Sequence, residues 1–162
     1  MKSISYQPIG ILRTQYTQSG QMPIQASLAQ NSMMAVAEIN ETYLEGLTDL
    51  DGFSHIILVY HFHKAHAPAL IQKPFLDQES HGIFAIRSPH RPNPIGISVV
   101  ELVKVEGNRI YFNHADMLDE TPLLDIKPFV PAFDHRDASR CGWLDKVFPN
   151  EIQGIEQTGS DV

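Results

Sequence analysis

Three prolines within six residues set the tightest constraint on how this chain folds. They lie in Ile86-Arg87-Ser88-Pro89-His90-Arg91-Pro92-Asn93-Pro94-Ile95-Gly96-Ile97. Each proline fixes φ and removes a backbone donor, and each pushes the residue before it towards extended geometry. Neither a helix nor a central strand runs through such a stretch, so it reads as a stiff connector. A stiff loop loses little entropy on holding a ligand. Arg87 and Arg91 are two of the six arginines of a chain whose formal net charge is -7. Guanidinium forks suit carboxylates and phosphates. A plain connector whose arginines pair with nearby acids fits the composition equally well.

The bulk numbers bound the rest. At 162 residues, with 43% hydrophobic and 19% charged residues, the chain is one globular domain's worth with a sizeable core. Its acidity argues against non-specific nucleic-acid binding, which runs on phosphate neutralisation, but leaves room for a local basic patch. A single cysteine, Cys141, excludes an internal disulfide and a multi-thiolate zinc site. Lys2 is not followed by an apolar stretch, and no run approaches the ~18 apolar residues of a membrane helix. The expected compartment is the cytoplasm, with no membrane partner.

Along the chain, residues 4–13 read as a first strand and 14–32 as a long loop. Met33 to Ile39 is a strand, and Asn40 caps a short helix through Leu47. Asp51-Gly52 is a turn, and Ser54 to Phe62 is a central strand. Residues 64–81 are irregular; Gly82 to Arg87 is a strand leading into the proline-rich connector. Ile97–Val105 and Arg109–His114 flank a hairpin turn at Glu106-Gly107-Asn108. Leu123–Lys127 is the last strand. Many short strands, few helices and hairpin spacing predict a mainly β fold, a small single-sheet barrel or strongly curved sheet. G-x-G is absent, which excludes a Rossmann-type nucleotide site.

The string R-S-P-H-R-P-N-P-I-G-I-S resembles the signature of the TsaA-like (TrmO-type) family. Asp116–Phe129 forms a second family-like block, with echoes in Ile9–Arg13 and Gly52–His55. The resemblance runs from about residue 6 to about residue 133. It implies a β-barrel over 1–135, a partly irregular extension over 136–162, S-adenosyl-L-methionine as cofactor, and methylation of N6-threonylcarbamoyladenosine in the anticodon loop of tRNA. It also implies a homodimer with the cofactor near the subunit boundary.

By the same resemblance, cofactor contacts fall to Ile24, Gln25 and Ala26; to His63 and Lys64; to Arg87 and Ile97; and to Leu118, Asp119, Glu120 and Thr121. Arg91 and Asn93 are left to face the substrate. The family usually has glycine where this chain has Glu120, tyrosine at Phe129 and arginine at Ile24. On chemistry alone, a carboxylate at Asp119 or Glu120 suits a ribose diol, while Asp119 also reads as a turn cap. His61, His63 and His66 have the look of a metal cluster, but no carboxylate or thiolate lies at a persuasive spacing, so no metal is expected. Ser88 and Ser98 lie outside any G-x-S-x-G turn, which leaves a hydrolase triad without support. No general base is identified; Asp119 and His63 are the candidates. Two other readings remain open, a same-scaffold methyltransferase acting on a small molecule and a non-catalytic S-adenosylmethionine-binding module.

Overall fold

Period-two alternation is what closes this sheet on itself. The computed structural model describes residues 3–18 and 34–147. Six strands form a closed barrel: β1 (Gly10–Arg13), β2 (Ala35–Ile39), β3 (His55–His61), β6 (Ile95–Glu106), β7 (Arg109–Asn113) and β8 (Thr121–Pro128). Their order round the barrel is β1-β2-β7-β6-β3-β8, and every pairing is antiparallel. The expected mainly β barrel is therefore what the chain forms. β4 (Ile71–Gln72) and β5 (His81–Gly82) pair as a second, two-stranded sheet.

Every second side chain points inward. Ile56, Leu58 and Tyr60 of β3 meet Val100 of β6, Phe112 of β7 and Leu123 of β8, all 2% exposed or less. A six-stranded barrel is narrow enough for side chains to fill, and this one is filled, so its chemistry has to sit on a rim. Register shifts at Val59/Tyr60 and at Leu102/Lys104 add the local bending that closure requires.

Antiparallel order fixes which connections share a rim. The β1–β2 loop, the β3-to-β6 connection and the β7–β8 connection all emerge at one end. The β2–β3 segment and the β6–β7 hairpin emerge at the other. Among the described residues of the barrel unit, the expected contacts His63, Lys64, Arg91, Asn93 and Leu118–Glu120 all fall in connections at the first end.

Several expectations shift in detail. The strand over 4–13 shrinks to Gly10–Arg13. The helix after Asn40 is a 3-10 helix, Glu41–Leu47, none of whose residues is buried; Asn40 does cap it, its Oδ1 accepting from Thr42 N at 3.0 Å. The strand expected over Gly82–Arg87 is overturned: only His81–Gly82 pairs, and Ile83–Ala85 is a 3-10 turn. Ile83 and Ile86 are both buried, and a spacing of three suits such a turn, not a strand. The hairpin at Glu106-Gly107-Asn108 forms as read, with Gly107 at φ 59°. Leu123–Lys127 lengthens at both ends to Thr121–Pro128.

The chain divides into two compact units, Met1–Pro68 with Pro89–Val130, which holds the barrel, and Ala69–Ser88 with Pro131–Val162. In the second, Trp143 donates from Nε1 to Ala85 O (2.8 Å) and stacks on His81 at 4.9 Å. No helix among the described residues is long and apolar enough to cross a membrane.

Gly96 shows how tight the wall is. A Cβ there would run into the Tyr60 ring and lie 2.8 Å from Phe62 Cζ. Overpacking of this kind costs roughly 1–3 kcal/mol. Gly96→Ala is therefore expected to lower the midpoint of thermal unfolding by about 5 °C or more; an unchanged midpoint in scanning calorimetry would contradict this packing.

Candidate functional site

The β7–β8 connection begins with His114 in the left-handed region (φ 65°), which turns the chain back across the barrel mouth. Ala115 and Met117 then fill that mouth at 2% and 1% exposure. The segment after β1 binds this connection from the side. Thr14 donates from Oγ1 to Met117 O (2.9 Å) and from its backbone N to Asp119 Oδ1 (3.2 Å). Asp119 N donates to Tyr16 O at 2.7 Å. Asp119 is thus a cap on a neighbouring backbone as well as a carboxylate at the rim.

Glu120 has φ 63°. That is the conformation glycine adopts without penalty, which explains physically why glycine suits this position in the family the sequence resembles. Glu120 Oε1 accepts from Arg13 NH1 (3.3 Å), and Arg13 Nε donates to Glu38 Oε2 (3.2 Å). Arg109 meets the same Glu38 at 3.3 Å.

His63 enters from the exit of β3. Its Nδ1 lies 3.4 Å from the buried Thr121 Oγ1. Its Nε2 is buried and has no hydrogen-bond partner among the described residues. Burial first, then the charges of Lys64 and His61, hold the ring's pKa below the usual 6.5, against the pull of Glu120 and Asp119. The imidazole is therefore neutral at pH 7. Lys64 Nζ reaches Thr17 O at 3.5 Å.

His63, Lys64, Asp119, Glu120 and Thr121 thus meet at one rim, with the half-buried Leu118 beside them. The proline-rich connector is tied to the same strand exit, because Phe62 N donates to Pro94 O (2.8 Å). Arg91 is half-buried and Asn93 exposed in that connector. Ile97 points outward from the wall, 63% exposed. Arg87 belongs to the second unit and is exposed. Ile24, Gln25 and Ala26 lie outside the described residues.

The histidine run separates. His66 stacks on His90 at 5.2 Å, its backbone N donating to His90 Nδ1 (3.0 Å), while His63 faces Thr121. Among the described residues, no group of three or more His, Cys, Asp or Glu is arranged to hold a metal ion.

Sequence reasoning missed Thr14, whose two bonds hold the turn and whose role only the β1–β8 pairing reveals. It also missed the pairing of Asp116, which accepts from Ser98 Oγ at 2.5 Å. That bond and the burial of Ser98 (4% exposed) keep Ser98 from acting as an exposed nucleophile.

Glu120→Gly is expected to leave the protein as stable as wild type or up to about 1 kcal/mol more stable, since it relieves a left-handed side-chain residue. Glu120→Val should be less stable than either. Chemical denaturation ranks the three, and a glycine variant clearly below wild type would refute the strain argument.

Known proteins share this sequence and fold. Residues 11–135 match the tRNA-methyltransferase O N-terminal domain family. A protein of Pyrococcus abyssi named "probable S-adenosyl-L-methionine-binding protein" is 50% identical over 143 residues, 88% of this chain and 77% of its own length. The tRNA (adenine(37)-N6)-methyltransferase of mouse is 37% identical over 135 residues, 79% of this chain but 31% of the mouse protein. The crystal structure of TrmO from Pseudomonas aeruginosa superposes with a TM-score of 0.73 at 35% identity, covering 88% of this chain and 63% of that one. The chain thus spans less than two thirds of the named methyltransferases. By its sequence and its barrel, the chain belongs to the tRNA-methyltransferase O N-terminal domain family.

Proposed function

We propose that this protein is an S-adenosyl-L-methionine-dependent methyltransferase that methylates N6 of threonylcarbamoyladenosine beside the anticodon of tRNA. The observation that carries the reading is the meeting of His63–Lys64 with Leu118–Thr121 on one rim of a filled barrel. The groups there fit the cofactor. The buried ring nitrogen of His63, without a partner among the described residues, offers a hydrogen bond. Carboxylates at Asp119 and Glu120 suit a ribose diol or a cationic centre, and Lys64 suits a carboxylate. Gln25 with its neighbours, Arg87 and Ile97 complete the proposed cofactor contacts, and Arg91 and Asn93 face the acceptor.

When bound, S-adenosylmethionine supplies a methyl group on a positively charged sulfur. The protein's task is to align that group with the acceptor and exclude water. The acceptor nitrogen carries a carbamoyl group and is weakly nucleophilic, so a proton acceptor helps. Asp119 is committed to Thr14 N. His63, neutral at pH 7, is the better suited of the two candidates. Arg91 reads the threonyl carboxylate or a nearby phosphate through its fork.

The test is transfer of labelled methyl to tRNA with and without the threonylcarbamoyl group. Transfer to modified tRNA alone is expected, and Arg91→Ala should lower it at least tenfold while changing cofactor affinity little. Equal transfer to both tRNAs would overturn the specificity. A second reading, a smaller acceptor, draws on the net charge of -7, and transfer to neither tRNA by a protein that binds the cofactor would favour it.

We also propose a two-fold dimer in the cytoplasm. Ile95, Ile97 and Val99 form a 39–63% exposed apolar row on the outer face of β6. Such a row favours a self-complementary contact. Light scattering should give about twice 18.2 kDa; a monomer at micromolar concentration would reject this.

A further inference from the structure

Inside the barrel wall, one hydrogen-bond chain crosses three elements. Tyr60 of β3 and Ser98 of β6 are 2% and 4% exposed. Their hydroxyls lie 2.9 Å apart, and Ser98 Oγ donates to Asp116 Oδ1 at 2.5 Å. A serine has one proton. Ser98 gives it to Asp116, so Tyr60 donates to Ser98, and the chain runs in one direction to a carboxylate. Each donor is satisfied, which buried hydroxyls require. Burial and the Asp116 charge push the Tyr60 hydroxyl's pKa well above the usual 10.0, so it stays a donor.

The position of this chain matters more than its strength. Asp116 lies in the β7–β8 connection, two residues past the left-handed His114 and two before Leu118. Tyr60 lies on β3, three residues before His63. The chain therefore fastens both halves of the candidate site to one wall. Those halves meet where His63 Nδ1 approaches Thr121 Oγ1. The bonds from Thr14 and Tyr16 hold the turn against another loop; Asp116 holds it against the sheet.

We infer that Asp116 is a positioning residue: acting through Ser98 and Tyr60, it sets the Leu118–Thr121 turn against His63, and cofactor affinity depends on that anchor. The inference rests on the methyltransferase reading above.

The experiment measures S-adenosylmethionine affinity by calorimetry, thermal midpoints, and methyl transfer for wild type, Asp116→Ala, Asp116→Asn, Ser98→Ala and the Asp116→Ala/Ser98→Ala pair. Asp116→Ala should weaken binding at least tenfold and raise KM for the cofactor, with kcat at saturation within about twofold of wild type. Asp116→Asn keeps an acceptor for Ser98 and should restore most of the affinity. The double variant should bind like the worse single one, because both break one chain. Affinity within twofold of wild type in Asp116→Ala, multiplying effects in the double variant, or no rescue by asparagine would each overturn the inference. So would losses that merely track the thermal midpoint. A wild-type protein that does not bind S-adenosylmethionine overturns the methyltransferase reading along with it, whereas wild-type binding with indifferent variants sinks the anchor alone.

Discussion

The candidate site depends on one short antiparallel pairing, β1 against β8, in which Gly10, Ile11 and Leu12 face Leu123, Pro122 and Thr121. This contact closes the barrel. Without it the sheet would have two open edges, which natural sheets avoid. It also decides what lies beside the β7–β8 connection. The residues that continue β1 are Thr14 and Tyr16, and they reach Met117 and Asp119 only because β1 runs next to β8. On its other edge β1 packs close to β2, and Gly10 allows this, since any Cβ there would strike the carbonyl of Glu38.

Closure has a second consequence. The interior is filled by Leu58, Phe112, Leu123 and their neighbours, so no ligand enters it, and polar groups inside need partners among themselves. Tyr60, Ser98 and Asp116 meet that need together. The rim above is polar, strained at Glu120 and supplied with a neutral imidazole whose buried ring nitrogen has no partner among the described residues. Strain and unpartnered polar atoms gather where structure serves binding more than stability.

Local chemistry was legible in the sequence wherever one residue decides the outcome. Asn40 capped its helix, Gly107 turned its hairpin, and the alternation in His55–His61 was that of a wall strand. The glycine expected at Glu120 pointed to a backbone constraint that the φ of 63° makes explicit. Period three defeated the reading at Ile83 and Ile86, where two buried isoleucines mimic a strand's apolar content. Asp119 showed its carboxylate in the sequence but not its partner, because Thr14 is 105 residues away. Asp116 was visible as one acid among several; only the fold brings it to Ser98. Non-local hydrogen bonds leave no periodic trace, and those were the ones sequence reasoning could not supply.

The net charge of -7 and an RNA substrate are compatible because the charge is unevenly placed. The segment between β2 and β3 carries Glu41, Glu45, Asp49 and Asp51 and no basic residue. Barrel topology sends it to the rim opposite the candidate site. β3 has 7 residues; at about 3.3 Å per residue and a tilt near 40°, the two rims stand roughly 15 Å apart or more. The Debye length at physiological salt is about 8 Å, so those four carboxylates are largely screened at the far end. The site rim instead presents Arg13, Lys64 and Arg91 beside Asp119 and Glu120. The β2–β3 segment at the far rim therefore repels a polyanion, while the near rim, where acids and bases are mixed, repels it less.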